Sequence, residues 1–217
     1  MTDAVVFDLD GVLLDSEQVW DEVREQLVRE RGAHWHEGAQ REMMGMSSVE
    51  WSQYMHDELG VADPPEAISA KVVRMMEERY RSRLPLIDGA REAVERLAGR
   101  WPLGLASSSN REVIDLVLEL SGLAQFFRVT VSSEEVARGK PAPDVYLEAA
   151  RRLEVRPEGC VAIEDSENGI RSAAAAGMKV IAILNAVFPP GVEALSLAAV
   201  VVASLEQLQP ALIESLD

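Results

Sequence analysis

The sequence predicts an α/β protein with a parallel sheet covered by helices on both faces and a wholly helical segment inserted after the first strand. Two patterns carry that prediction. From residue 86 onward, short and nearly continuous apolar runs alternate with amphipathic helical segments, the texture of strands buried on both faces. Between the first such run and the remainder lies a stretch of helical periodicity that no credible strand interrupts. A chain of 217 residues is long enough for one domain carrying such an insertion.

Ala4-Val5-Val6-Phe7 reads as the first strand, ended by the turn Asp8-Leu9-Asp10-Gly11. From Ser16 to Arg83, apolar residues recur at helical spacing: Trp20, Val23, Leu27 and Val28, then Trp51, Tyr54, Met55 and Leu59, then Ile68, Val72, Met75 and Met76. About four helices are expected there. Residues 102–106 form the second strand, followed by a helix over 110–121. A strand at 127–131, a helix at 144–153, a strand at 160–163, a helix at 168–176 and strands at 180–184 and 199–202 complete the pattern. The expected core is therefore residues 1–14 plus 86–217, with 15–85 as a helical insertion.

Charge narrows the partners. Lys and Arg number 21 against 37 Asp and Glu, a net charge of −16 and a pI near 4.6. Long-range steering toward nucleic acid or an anionic membrane would be repulsive. A small anion could bind only with local help from a metal, a lysine or backbone amides. No apolar run approaches a membrane span of ~20 residues, and Met1–Asp15 carries acids where a signal peptide carries bases. The single cysteine, Cys160, allows no intrachain disulfide, so a reducing, cytoplasmic setting is expected. Nothing signals an oligomer, and a monomer is the default.

In an open α/β sheet, ligands bind beyond the carboxyl ends of the strands. Asp8 and Asp10 follow the first strand, Ser107, Ser108 and Ser109 the second, Lys140 the third, and Glu164-Asp165 the fourth. Together these types support phosphoryl transfer through a carboxylate. One aspartate can attack phosphorus and the other can protonate the leaving oxygen, then activate water. A carboxylate meeting a phosphate dianion at about 3.5 Å faces repulsion of roughly 9 kcal/mol at an effective dielectric near 20. A divalent cation and a lysine would offset it, and an all-oxygen acidic cluster suits Mg²⁺.

Asp8-Leu9-Asp10-Gly11-Val12, Ser107, Lys140-Pro141-Ala142-Pro143-Asp144 and Glu164-Asp165-Ser166 resemble the four motifs of the haloacid dehalogenase superfamily. The run Glu164–Ile170, continued by Ala173–Gly177, is similar to its β-phosphoglucomutase and phosphoglycolate phosphatase branch. The resemblance implies a Rossmann-like core with a C1-type helical cap. It implies Asp8 as nucleophile and Asp10 as general acid/base. Phosphate binding would fall to Ser107 and Lys140, with Ser108 and Ser109 as substitutes for the serine. Mg²⁺ would be held by Asp8, the backbone carbonyl of Asp10, and Asp165, with Glu164 direct or through water. The expected activity is Mg²⁺-dependent hydrolysis of a small phosphorylated metabolite; a sugar-phosphate mutase and a non-catalytic binding relative are the alternatives. In the mutase, the resemblance implies a histidine on the first cap helix and an arginine after the Gly-x-Ser of the cap loop. Counting without gaps, Trp20 and Ser48 stand at those positions here.

Other chemistry-bearing residues read more simply. His34 and His36 lack a nearby third ligand and are expected to be solvated. Cys160 opens a buried strand without a base, so an inert thiol is expected. Trp20, Trp51 and Tyr54 fit the core of the insertion, Met43, Met44 and Met46 flank Gly45 in a loop, and Arg151-Arg152 fits a solvated helix face.

Overall fold

The computed structural model describes residues 1–44, 46–185 and 189–217. Gly45, in the methionine-rich segment singled out above, lies outside the described residues. The chain begins with β1 (Ala4–Phe7) and passes through α1 (Glu17–Glu30), α2 (Ala39–Met43), α3 (Ser48–Asp57) and α4 (Pro65–Ser82), the helical region expected. It continues as α5 (Ala90–Ala98), β2 (Leu103–Ser107), α6 (Arg111–Ser121), β3 (Phe127–Ser132), α7 (Asp144–Leu153) and β4 (Cys160–Glu164). The last elements are α8 (Glu167–Ala175), β5 (Lys179–Ile183), α9 (Val192–Leu195), β6 (Val200–Val202) and α10 (Pro210–Glu214). Helices α5, α9 and α10 were not among the expected elements.

The strands form one parallel sheet in the order β3-β2-β1-β4-β5-β6. Side chains alternate between its faces, as a period of two requires. Val5, Phe7, Leu103, Leu105, Val161 and Ile163 meet α5 and α6 through Val94, Leu97, Val113 and Val117. Ala4, Val6, Ala106, Val131 and Ala162 meet α7 and α8 through Val145, Ala149, Ile170 and Ala173. Because successive connections diverge from β1 to opposite edges, the strand order reverses between β1 and β4. A ligand crevice is expected there, outside the carboxyl ends.

The helical region leaves and rejoins the sheet side by side. Asp15 N donates to Pro85 O at 2.8 Å, Ile87 N to Leu13 O at 2.9 Å, and Leu14 bridges Leu86 in antiparallel sense. Trp20, Trp51, Met55, Ile68 and Tyr80 pack in the interior of this region, continuous with the apolar cluster on one face of the sheet. Among the described residues, no helix is long and apolar enough to cross a membrane.

Candidate active site

Asp8 continues the line of β1: its N–H donates to Ile163 O of β4 at 3.0 Å, which places its side chain at the crevice. The chain then turns tightly, with Gly11 N donating to Leu14 O at 2.7 Å and Leu13 N to Leu9 O at 2.8 Å. Gly11 adopts φ +79°, and a Cβ there would lie 1.9 Å from Asp165 Oδ2. Glycine is required twice over, by the left-handed backbone and by the close approach of Asp165.

Lys140 is the hub of the inner half of the site. Its Nζ donates to Asp8 Oδ1 at 2.7 Å and to Glu164 Oε1 at 2.6 Å, with Tyr146 OH at 3.4 Å. Tyr146 OH in turn donates to Glu164 Oε1 at 2.8 Å. The other Glu164 oxygen accepts from Asp165 N, Ser166 N and Ser166 Oγ at 3.0–3.2 Å. At the start of α8, a Cβ on Gly169 would lie 1.8 Å from Glu164 Oε1, so the helix closes over this fully buried carboxylate only because residue 169 has no side chain.

Asp165 accepts from Asn185 Nδ2 at 3.0 Å through Oδ2, whereas its buried Oδ1 has no hydrogen-bond partner. Ligand oxygens of Asp8, Glu164 and Asp165 all lie within 4.8 Å of one another. Three carboxylates against one ammonium leave this cluster short of positive charge. Burial, with Glu164 and Asp10 adding to it and Lys140 opposing it, pushes the Asp8 carboxyl up to about 8. Burial, then Glu164 and Asp8, holds Asp165 well above the usual carboxylate range. For Lys140, burial works against the charge, yet Asp8 and Glu164 hold the ammonium above its ordinary value. An orphaned carboxylate oxygen inside an all-oxygen, electron-rich cluster fits a hard divalent cation. Among the described residues this is the group able to hold one.

Asp10 faces the helical region instead. Its Oδ1 accepts from Ser16 Oγ at 2.6 Å and Trp20 Nε1 at 3.0 Å. Its Oδ2 accepts from Ser109 Oγ at 2.6 Å and, more distantly, from Ser107 Oγ at 3.5 Å. Of the residues expected around the cation, Asp10 was to contribute its backbone carbonyl rather than its carboxylate. The structure groups the other three carboxylates, and the Asp10 side chain is drawn away by these four donors.

Both aspartates line a cavity of about 50 Å³ closed over by the helical region, together with Lys140, Ser108 and Ser109. Ser107 is fully buried, and its Oγ accepts the Ser109 N–H at 3.0 Å. Of the serine run, Ser109 therefore makes the short bond to Asp10. The backbone oxygen of Ser108 accepts from Ser133 Oγ at 3.0 Å.

Several site residues carry no motif in the sequence. Tyr146 lies in the first turn of α7, and only the fold shows that it meets Glu164. Asn185 had a usable signal, a polar residue just past a buried strand at the same rim as Asp8 and Glu164. Of the residues set aside, His34 is exposed and Cys160 buried as expected, whereas His36 is half-buried rather than solvated. His36 pairs with Tyr54 OH at 2.9 Å, and burial pushes the Cys160 thiol up to about 11, far from a reactive thiolate.

A parallel sheet with an inserted helical region, and an acidic cluster with a lysine at the switch point, define a hydrolase that works through an aspartate. The chain belongs to the haloacid dehalogenase-like hydrolase family, whose sequence profile matches residues 2–177. It is 33% identical over 179 residues to a phosphorylated carbohydrates phosphatase of Thermotoga maritima, covering 82% of each chain. It is 32% identical over 192 residues to hexitol phosphatase B of Escherichia coli, covering 83% of this chain and 82% of the relative. In fold it is similar to a β-phosphoglucomutase of Clostridium difficile, with a TM-score of 0.85 at 22% identity over 99% of this chain and 96% of the other.

Proposed function

We propose that the chain is a Mg²⁺-dependent phosphatase of small phosphorylated metabolites of the sugar-phosphate or phosphoglycolate type, working through a phosphorylated Asp8. Lys140 holds Asp8 Oδ1, which leaves Oδ2 as the attacking atom. A bond forms from Oδ2 to phosphorus as the bond from phosphorus to the ester oxygen breaks, and the leaving oxygen takes a proton from Asp10. Water then gives a proton to Asp10 and attacks phosphorus, releasing inorganic phosphate and restoring Asp8. Asp8, the Asp10 carbonyl and Asp165 would hold the cation. Glu164, with five donors on its two oxygens, orients Lys140 and the turn after β4. When bound, Mg²⁺ supplies charge compensation for the phosphoryl oxygens. The serines after β2 would receive those oxygens, and the region 15–85 would act as a cap that opens for substrate.

The Trp20–Asp10 hydrogen bond carries the choice of hydrolase over mutase. Resemblance to the mutase implies a histidine as partner of the acid/base aspartate, whereas the partner here is an indole N–H that can donate but never accept or carry charge. Ser48, at the position of the phosphate-gripping arginine, donates instead to Glu134 Oε1 at 2.8 Å. The two relatives compared above, 33% and 32% identical, are both named as phosphatases, which supports the same reading. The test is phosphate release in Mg²⁺ from a panel of phosphorylated metabolites, with Asp8→Asn as the inactive control. A hexose 1-phosphate given with its bisphosphate should yield phosphate and little isomer. Isomer forming much faster than phosphate would establish the mutase.

A further inference from the structure

The cavity that holds Asp8 and Asp10 is also lined by two charged residues that the reaction itself does not use, half-buried Glu17 and buried Arg24. Arg24 of α1 is 5% exposed and lines the cavity with Glu17, Trp20 and Trp51. Its guanidinium carbon lies 4.7 Å from the centre of the Trp20 ring and 5.0 Å from that of Trp51, and those centres are 6.2 Å apart, so the cation packs against both of two touching indoles. Of the five N–H donors on a guanidinium, one is used, from Nη1 to Gln40 Oε1 at 3.2 Å. Nε is buried with no acceptor. Gln40 Nε2 in turn donates to Glu17 Oε2 at 2.9 Å and to Glu17 O at 3.3 Å, so one amide holds both members of the pair. The other Glu17 oxygen has no partner among the described residues.

Unused donors on a buried cation are costly unless something accepts from them. Beside them is the one Glu17 oxygen with no donor among the described residues; burial, then Asp10, pushes the Glu17 carboxyl up to about 7 against the pull of Arg24. A group able to donate and accept at once, at adjacent atoms, would satisfy both. A second anion would not, because Asp8, Asp10 and Glu17 already outnumber Lys140 and Arg24 around the cavity.

We infer that Glu17 and Arg24 form the specificity element of this site, recognising a vicinal diol on the substrate: one hydroxyl donates to Glu17 and a neighbouring hydroxyl accepts from Arg24. This rests on the phosphatase reading and narrows it to polyol and sugar phosphates, excluding substrates with a carboxylate or second phosphate at the far end.

The test measures kcat/KM with Mg²⁺ for a hexitol phosphate, its analogue lacking the distal hydroxyls, phosphoglycolate, and p-nitrophenyl phosphate, which has no diol. In the wild type, the hexitol phosphate should exceed both the deoxy analogue and phosphoglycolate by roughly tenfold or more, the worth of hydrogen bonds to charged groups. In Arg24→Lys and in Glu17→Gln, the ratio of hexitol phosphate to p-nitrophenyl phosphate should fall by a similar factor, mainly through KM. Because the wild-type comparison needs no variant, poor folding of either variant leaves the test intact. Equal rates for the hexitol phosphate and its deoxy analogue, or preference for phosphoglycolate, would overturn the diol assignment while leaving the phosphatase standing. No phosphate release from any substrate would overturn both.

Discussion

Asp10 is held by hydrogen bonds of two kinds, from an indole N–H and from serine hydroxyls. Trp20 Nε1 only donates, so Oδ1 is the side held as an acceptor. The hydroxyl of Ser109 can reverse, so in the proposed reaction Oδ2 would be the oxygen that hands a proton to the leaving group. Asp10→Asn should keep Asp8 and Lys140 in place yet lose roughly 10²–10⁴-fold in kcat. The deficit should shrink for aryl phosphates, whose leaving groups need little protonation. Equal deficits for aryl and alkyl esters, with ester cleavage limiting, would remove Asp10 from that role. Lys140 makes a different prediction, about stability. It is the cation shared by the buried carboxylates of Asp8 and Glu164. Lys140→Met would leave both unpaired, and losing one partner of a buried ion pair typically costs about 3–5 kcal/mol. Urea unfolding of the metal-free variant measures this, and an unchanged midpoint would show that the carboxylates take up protons at no cost.

At the scale of elements, the first turn of α3 is tied to the sheet through one carboxylate. Glu134 Oε1 accepts from Ser48 Oγ at 2.8 Å and from Asn110 Nδ2 at 2.7 Å, and its Oε2 accepts from Arg111 N at 2.9 Å. This clasp joins the helical region to the loops after β2 and β3. Glu134→Ala should favour the open arrangement, since hydrogen bonds to a charged group contribute about 1.5–3 kcal/mol each. We expect a KM several-fold higher and stronger acrylamide quenching of tryptophan fluorescence, because Trp20 and Trp51 line the closed cavity. Kinetics and quenching like those of the wild type would show that closure does not depend on the clasp. None of these three contacts was visible in the sequence, because each joins residues distant along the chain through a side chain with no motif of its own. The strands were legible for the opposite reason. Burial on both faces makes Ala4–Phe7 and Cys160–Ile163 almost purely apolar, a signal local to the residues themselves. Asp8 and Glu164 were legible because they stand at the ends of such strands, and Lys140 because it lies between Gly139 and Pro141 in the turn region after β3. Helix α5 was not, because Ala93, Val94 and Leu97 carry its buried face among charged neighbours and its register is set by the sheet it covers. Arg24 carries no motif, and its packing against Trp20 and Trp51 is visible only in the fold.

For the whole molecule, the charge balance and the site pull in opposite directions. A chain of net charge −16 repels a phosphate dianion at long range, so attraction has to be generated within the cavity by Lys140, Arg24 and a bound cation. The same balance favours cation binding, and the cluster of Asp8, Glu164 and Asp165 gathers its acidic groups where a cation relieves their mutual repulsion. Metal binding should therefore register in stability as well as in turnover. A ligand that binds only the native state, at a hundred times its Kd, stabilises that state by about 2.7 kcal/mol. In a chain of this length that corresponds to a rise in thermal midpoint of roughly 5–11 °C. Titrating Mg²⁺ into chelator-treated protein should produce such a rise, and Asp165→Asn should diminish it by weakening the oxygen that has no other partner. Ca²⁺ should also raise the midpoint while supporting much less turnover. It takes more ligands at longer distances, and engaging both oxygens of Asp8 would occupy Oδ2, the atom needed for attack. Binding and catalysis would thus separate between two ions of equal charge. Full activity in excess chelator, with no Mg²⁺-dependent shift in midpoint, would remove the cation from both the fold and the reaction.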